Sequence, residues 1–308
     1  MQSIPTVGAA SCEHFEIAGV PHLVVASHSD NYNYKLNSVV YRWDGTKFAV
    51  MQYIPTLGAR DWKAFEVNGT PHLAVANYED GSKRKVNSVV YRWDGVRFLH
   101  LQNIPTLGAR SLTCFQLNGT PHLVVANSND GFTVKVNSVI YRWDATQFAH
   151  MQDIATVGAH AWTYFELKGT SHLIVANNEY RKRVDSVIYR WDGTQFVMLQ
   201  YIPILGAMNW DAFEINGTPH LAVASNQDGY TYSVNSLIYR WDGTKFESVL
   251  EIPTNGAYAV KVFDVTNDGA AHIAIANRGV PGTGTNVLST VYRLASDAPL
   301  VTVAPCNA

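Results

Sequence analysis

The sequence predicts an all-β protein, a β-propeller of six four-stranded blades. Three observations carry this: a repeat kept through six copies, strand-and-turn patterning inside each copy, and no segment with a sustained helical period. The tripeptide Tyr-Arg-Trp begins at Tyr41, Tyr91, Tyr141, Tyr189 and Tyr239, with a degenerate Tyr-Arg-Leu at Tyr292. A His followed by Leu or Ile stands at His22, His72, His122, His172, His220 and His272. An Ile that opens Ile-Pro-Thr or a variant stands at Ile4, Ile54, Ile104, Ile154, Ile202 and Ile252. Self-similarity at a fixed period is the mark of a repeat architecture. The length of 308 residues would by itself suggest about two domains. No composition break divides the copies, so residues 1–308 read as one domain.

Within a copy the elements follow in order, and the second copy shows them. Residues 59–67 end at Asn68-Gly69, a strong two-residue hairpin signal, and read as the first strand. Residues 72–77 form a short apolar second strand. A polar loop runs from Tyr78 to Lys85. Residues 87–93 are rich in β-branched and aromatic side chains and form the third strand. Asp94-Gly95 makes the next turn, residues 97–103 form the fourth strand, and Ile104-Pro105 leads into the next copy. Four short antiparallel strands per unit are the signature of a propeller blade. Stacked blades bury both sheet faces, which accounts for strands apolar on both sides. Residues 1–5 and residues 300–305 each resemble part of a fourth strand, so the two termini are expected to close one blade together, leaving no exposed edge.

Composition narrows the function. The charge is nearly balanced, with 23 Lys+Arg against 25 Asp+Glu, which removes the electrostatic case for nucleic-acid or anionic-membrane binding. No run of about 18 apolar residues exists to span a bilayer. Residues 1–25 lack the basic start and apolar core of a signal peptide, so the chain is expected to be cytosolic or to begin after processing. Cys12, Cys114 and Cys306 are too few for a disulfide scaffold. No nucleophile elbow, HExxH, phosphate loop or Cys-x-x-Cys is present.

The pattern Phe-Glu-Val-x-Gly-x-x-His-Leu-x-Val-Ala-Asn, followed by Val-Asn-Ser-Val-Val-Tyr-Arg-Trp, resembles the epilepsy-associated repeat, also called EPTP, over essentially the whole chain. The resemblance implies an extracellular propeller that acts as a protein-interaction module without catalytic activity. Relatives usually carry seven copies, so seven blades is the alternative count. The last copy, from Asp264 to His272, is also similar to the FG-GAP repeat of integrin-type propellers. That likeness implies a calcium loop with Asp264 and Asp268 as ligands. His272 and Thr266 stand where such a loop would carry further oxygen ligands.

Chemical side chains that recur in every copy read as architecture. The six histidines are expected to fix the hairpin turn through their ring nitrogens. Arg42, Arg92, Arg142, Arg190, Arg240 and Arg293 are expected to pair in the sheet with Glu16, Glu66, Gln116, Glu166, Glu214 and Asp264 as buried structural partners. Function is expected where the copies differ. At the start of the first strand Arg60, Arg110, His160 and Tyr258, with Trp62, Trp162 and Trp210 two residues after the first of such positions, form an aromatic and basic rim suited to protein anchors or sugar stacking. The loops between second and third strands add Tyr32, Tyr34, Tyr230 and Tyr232, in a Tyr, Asn, Ser and Gly setting typical of adaptable binding surfaces. The leading expectation is a non-enzymatic extracellular module that binds a protein or glycan through loop tips and axial mouth, without a cofactor. A multivalent lectin with sites between blades is the alternative, and a metal-dependent hydrolase or lyase the third reading. The sequons at Asn68, Asn118 and Asn216 fit secretion, although Asn-Gly is also the favoured hairpin turn.

Overall fold

A computed structural model describes residues 2–264, 271–279 and 287–294, and the backbone of 301–302. Six antiparallel four-stranded sheets follow one another along the chain, the blades of a propeller. They fall into two compact units, residues 1–159 and 160–308. The first unit holds β1 (Ala9–Ile17), β2 (Val20–Ser27), β3 (Lys35–Trp43) and β4 (Phe48–Leu57), then β5 (Ala59–Val67), β6 (Thr70–Asn77), β7 (Lys85–Trp93) and β8 (Phe98–Leu107), then β9 (Ala109–Leu117), β10 (Thr120–Asn127), β11 (Lys135–Trp143) and β12 (Phe148–Val157). The second holds β13 (Ala159–Leu167), β14 (Thr170–Asn177), β15 (Ser186–Trp191) and β16 (Phe196–Ile202), then β17 (Ala207–Ile215), β18 (Thr218–Ser225), β19 (Ser233–Trp241) and β20 (Phe246–Asn255), then β21 (Ala257–Phe263), β22 (Ala271–Asn277), β23 (Thr290–Leu294) and β24 (Val301–Thr302). Every sheet pairs its strands in chain order.

The expected hairpin turn is present and its chemistry is visible. Asn68 and Gly69 both take positive φ, 50° and 72°, the two left-handed residues of a type I′ turn. The fourth strands run further than the sequence suggested. Ile104-Pro105 lies inside β8, with Pro105 opposite Asn87. A proline is tolerated there because the fourth strand is a sheet edge, and the missing N–H costs no ladder bond. The expected closure of one blade by residues 1–5 and 300–305 rests in part on Met1, residue 300 and residues 303–305, which lie outside the described residues. Residues 2–6 carry no strand, yet Gln2 brackets Phe48 by two hydrogen bonds of 2.8 Å, amide to carbonyl and N–H to amide oxygen.

Hydrophobic layers lie between neighbouring sheets. Trp62, Leu73, Val75 and Tyr91 pack with Val24, Val40 and Ile54 of the preceding blade. Trp210, Leu221 and Tyr239 pack in the same way with Ile174, Ile188 and Ile202. The Tyr-Arg-Trp signature follows from this. Tyr91 turns inward against Trp62, Arg92 turns out to solvent, and Trp93 packs at a tilt against Phe98 across the last turn, with centroids 5.1 Å apart. The recurring Ser and Thr form a buried polar ladder. Ser88 Oγ lies 3.1 Å from Thr106 Oγ1 and accepts from Asn77 N–H, while Thr106 donates to Val86 carbonyl at 2.7 Å. Buried hydroxyls must be partnered, and here each finds backbone.

Candidate functional site

The recurring histidines sit under the hairpin turns. His72 Nδ1 donates to Thr70 carbonyl at 2.8 Å and its ring stacks on Phe65 at 5.3 Å. His22, His122, His172 and His220 make the same 2.8 Å bond. Burial holds all five below the ordinary imidazole range, against the raising effect of the carbonyl, and the arginine opposite each adds to the lowering.

The expected pair of Arg92 with Glu66 does not form across the sheet. Arg92 lies opposite His72, whereas Glu66 lies opposite Pro71, one row away. Adjacent rows of a strand point to opposite sheet faces, so the two side chains cannot meet across the sheet. The arginines at 42, 92, 142, 190, 240 and 293 and the acids at 16, 66, 166 and 214 are exposed.

The expected rim divides into two classes. Trp62, Trp162 and Trp210 are 0%, 4% and 2% exposed and belong to the core, so they offer no open stacking face. The residues at the start of the first strand do face a surface, and a β-bulge puts them there. Ala59 pairs with Asn77 and Asp61 with Ala76, leaving Arg60 as the extra residue. Arg110 is bypassed in the same way between Ala109 and Ser111, and Tyr258 between Ala257 and Ala259. Bulges re-aim a side chain out of the pleat. Gly58 precedes the bulge with φ 55°, and a Cβ there would sit 2.8 Å from Glu79 carbonyl oxygen.

Arg60 and Arg110 are brought together. Their guanidinium carbons stand 4.9 and 5.0 Å from the centroid of Tyr78, and that of Arg84 stands 5.2 Å away. Tyr78, read from sequence as the first residue of a polar loop, is 4% exposed. Its hydroxyl accepts from Asn129 Nδ2 at 3.1 Å, and Asn129 Oδ1 accepts from Arg84 at 2.5 Å. Arg110 Nε donates to Ser128 at 3.0 Å, and Arg84 Nε lies 3.9 Å from Glu79. His28 adjoins the cluster, its ring 6.2 Å from Tyr78 and 5.3 Å from Tyr34. Burial first, then the positive potential of Arg60 and Arg110, push the His28 imidazole down to about 4. Sequence reasoning missed Tyr78, Arg84 and His28 as members of one group. In the second unit Tyr258 carries Arg278 over its ring at 5.7 Å, and His160 is half-buried.

The loops between second and third strands present single aromatics. Tyr32, Phe132 and Tyr230 are 90%, 100% and 98% exposed; Phe132 was not among the expected contact residues. Tyr34 and Tyr232 are half-buried. Asp130 Oδ1 accepts from the N–H groups of Phe132 and Thr133 at 2.9 and 2.8 Å, and Asp228 does the same for Tyr230 and Thr231, at 2.8 Å each. Such Asx turns fix a tip without a ligand. Asp264, at the end of β21, is exposed, and Asp268 lies outside the described residues, so the calcium expectation falls there. Among the described residues no three His, Cys, Asp or Glu side chains are grouped to hold a metal ion.

A repeat of four-stranded blades, with its variable positions at bulges and loop tips, defines a β-propeller of the repeat-module class. The chain belongs to the EPTP family: the EPTP domain matches residues 1–44, 47–94, 97–144, 147–192 and 195–242. Five of the six copies are thus covered, and the matches stop before the copy with Tyr-Arg-Leu. No curated protein matches the sequence. Among solved structures, an exo-β-1,3-galactanase from Phanerochaete chrysosporium with β-1,3-galactotriose is similar at 11% identity and TM-score 0.49, covering 89% of this chain and 77% of its own. A likeness of that size says nothing about activity.

Proposed function

We propose that this chain is a non-enzymatic, extracellular binding module that recognises a partner protein through its loop tips and the bulged positions beside them. The observation that carries the reading is the presentation of Tyr32, Phe132 and Tyr230, almost fully exposed on loops closed by their own hydrogen bonds. Rigid aromatics at low entropy cost are the usual anchors of protein interfaces. Tyr32 also stands at φ 81°, costly for a bulky side chain, and such strain concentrates at ligand contacts. An array of extracellular protein domains tests it. Hits should vanish for the triple variant Tyr32→Ser, Phe132→Ser, Tyr230→Ser while its melting temperature stays unchanged; hits retained at full strength would refute the reading. Secretion is supported by exposed sequon asparagines at 68, 118 and 216. Expression through a eukaryotic secretory pathway should give a chain whose mass falls on glycosidase treatment.

One observation favours a second reading, the lectin. A cleft of about 710 Å³ between the second and third blades is lined by Glu66, Gln116, Arg142, Trp143 and His150. Hydrogen-bonding groups that line one cleft suit a sugar. A glycan array without hits at high protein concentration would remove it.

A further inference from the structure

We infer that the face of the first unit around Arg60, Arg84 and Arg110 docks an acidic segment of a protein partner, whose carboxylates are received by these guanidiniums around Tyr78. This deepens the protein-binding reading and rests on it. Three guanidinium carbons lie within 5.2 Å of one ring centroid. They therefore stand within about one Debye length of each other at 0.1 M salt, and their repulsion is only partly screened. Cation–π contact with Tyr78 offsets part of that repulsion, and a bound anion would offset more.

The sequence around the cluster is basic against the trend of the chain. Residues 78–85 carry Lys83, Arg84 and Lys85 against Glu79 and Asp80, and Arg60 and Arg110 enter from β5 and β9, in a chain of net charge -2. Asp80 is occupied with its own loop, accepting from Ser82 N–H, Ser82 Oγ and Lys83 N–H at 2.8 to 3.0 Å. The arginines are held by neighbours that fix their direction: Ser128 for Arg110, Asn129 and Glu79 for Arg84. A planar guanidinium in a fixed pose matches a carboxylate through two parallel bonds. The neighbouring loops supply the aromatic part of an interface. Tyr34 packs over Gly58 and Gly81, so the first loop adjoins the second, and Asn129 of the third loop bonds Tyr78. Tyr32 and Phe132 project from these joined loops, which favours a protein segment with acidic and apolar side chains over a sugar polyanion.

Calorimetry with a synthetic hexaglutamate peptide tests the inference. Binding should weaken about tenfold or more when salt rises from about 0.05 to about 0.3 M, as expected for contacts within a Debye length. The double variant Arg60→Gln, Arg110→Gln should lose about tenfold or more, while Arg92→Gln with Arg240→Gln should bind as the parent does. Wild-type protein gives a reading free of any folding defect: the His28 imidazole, held at about 4, should titrate at higher pH with peptide bound. No binding, a double variant that binds as the parent does, or an unmoved His28 overturns the inference. Tighter binding of a heparin-derived hexasaccharide than of the peptide overturns the protein assignment. On the protein array, hits lost with the aromatic tips but kept by the arginine variant would sink this inference alone; hits that ignore the aromatic tips would sink the broader reading.

Discussion

Arg92 and Glu66 lie one row apart across β6, and that row sends them to opposite faces of the sheet. Arg92→Ala should change the free energy of unfolding by no more than about 0.5 kcal/mol, the ordinary size for an exposed substitution. Denaturant unfolding checks this, and a loss near that of a broken buried pair, about 3–5 kcal/mol, would restore the buried-pair reading. Trp62 is the opposite case. At 0% exposure its truncation to Ala should cost about 3–5 kcal/mol. Ala145 offers a gain. It stands at φ 88° in a turn where the other copies place glycine at φ 102° to 110°. Ala145→Gly should stabilise by about 1 kcal/mol, since a side chain in this region is strained, and a lower melting temperature would contradict it.

Turns and repeats were legible in the sequence because their causes are local. Asn68-Gly69 is a turn on two residues' own preferences. The rim was legible only in half, and the reason is the bulge. Regular alternation puts residues 60 and 62 on one face, so Arg60 and Trp62 looked alike from sequence. An extra residue at Arg60 breaks that parity: Trp62 enters the layer between blades and Arg60 turns to the surface. The expectation for Arg92 and Glu66 failed similarly, since a strand count does not give the row. The grouping of Arg60, Arg84 and Arg110 was hidden because it is made by three elements distant in sequence. The bulge depends on Gly58. Gly58→Ala should destabilise by at least about 1 kcal/mol, combining a positive φ with a Cβ 2.8 Å from Glu79 carbonyl oxygen. It should also weaken whatever Arg60 binds. Calorimetry on the folded variant separates the two effects.

For the molecule as a whole, acid is the weak side, and the histidines set where weakness begins. His22, His72, His122, His172 and His220 are held below 6.5 in the folded state, with His28 at about 4. The unfolded chain takes up these protons more readily, so stability is complete above 6.5 and is lost as pH falls from there. His28 extends the loss down to about pH 4. The turn aspartates, such as Asp80 held at about 2 by its N–H donors, add a second loss below the usual carboxylate range. Melting temperature should be level from pH 8 to 7 and fall from 6.5 to 4. A flat profile there would contradict the burial of the imidazoles. His28→Asn should make the fall shallower between pH 6 and 4.

Gln2 does at Phe48 what Gln52 does at Phe98, Gln102 at Phe148 and Gln200 at Phe246: the amide side chain takes the place of a peptide group and holds the next blade's fourth strand by its carbonyl and its N–H. Gln52 and Gln102 sit four residues after Phe48 and Phe98 on the same strands, so in these copies the last strand carries both a plug and a socket. Connectors of this kind are indifferent to which neighbour they join. A duplicated or exchanged copy arrives with a fitting plug and a fitting socket, so the array can lengthen or be reshuffled by cassette without redesign of its seams. The fifth copy breaks the rule, with Leu250 on β20 where a glutamine would serve the last copy. That seam is where a cassette exchange would lack its connector.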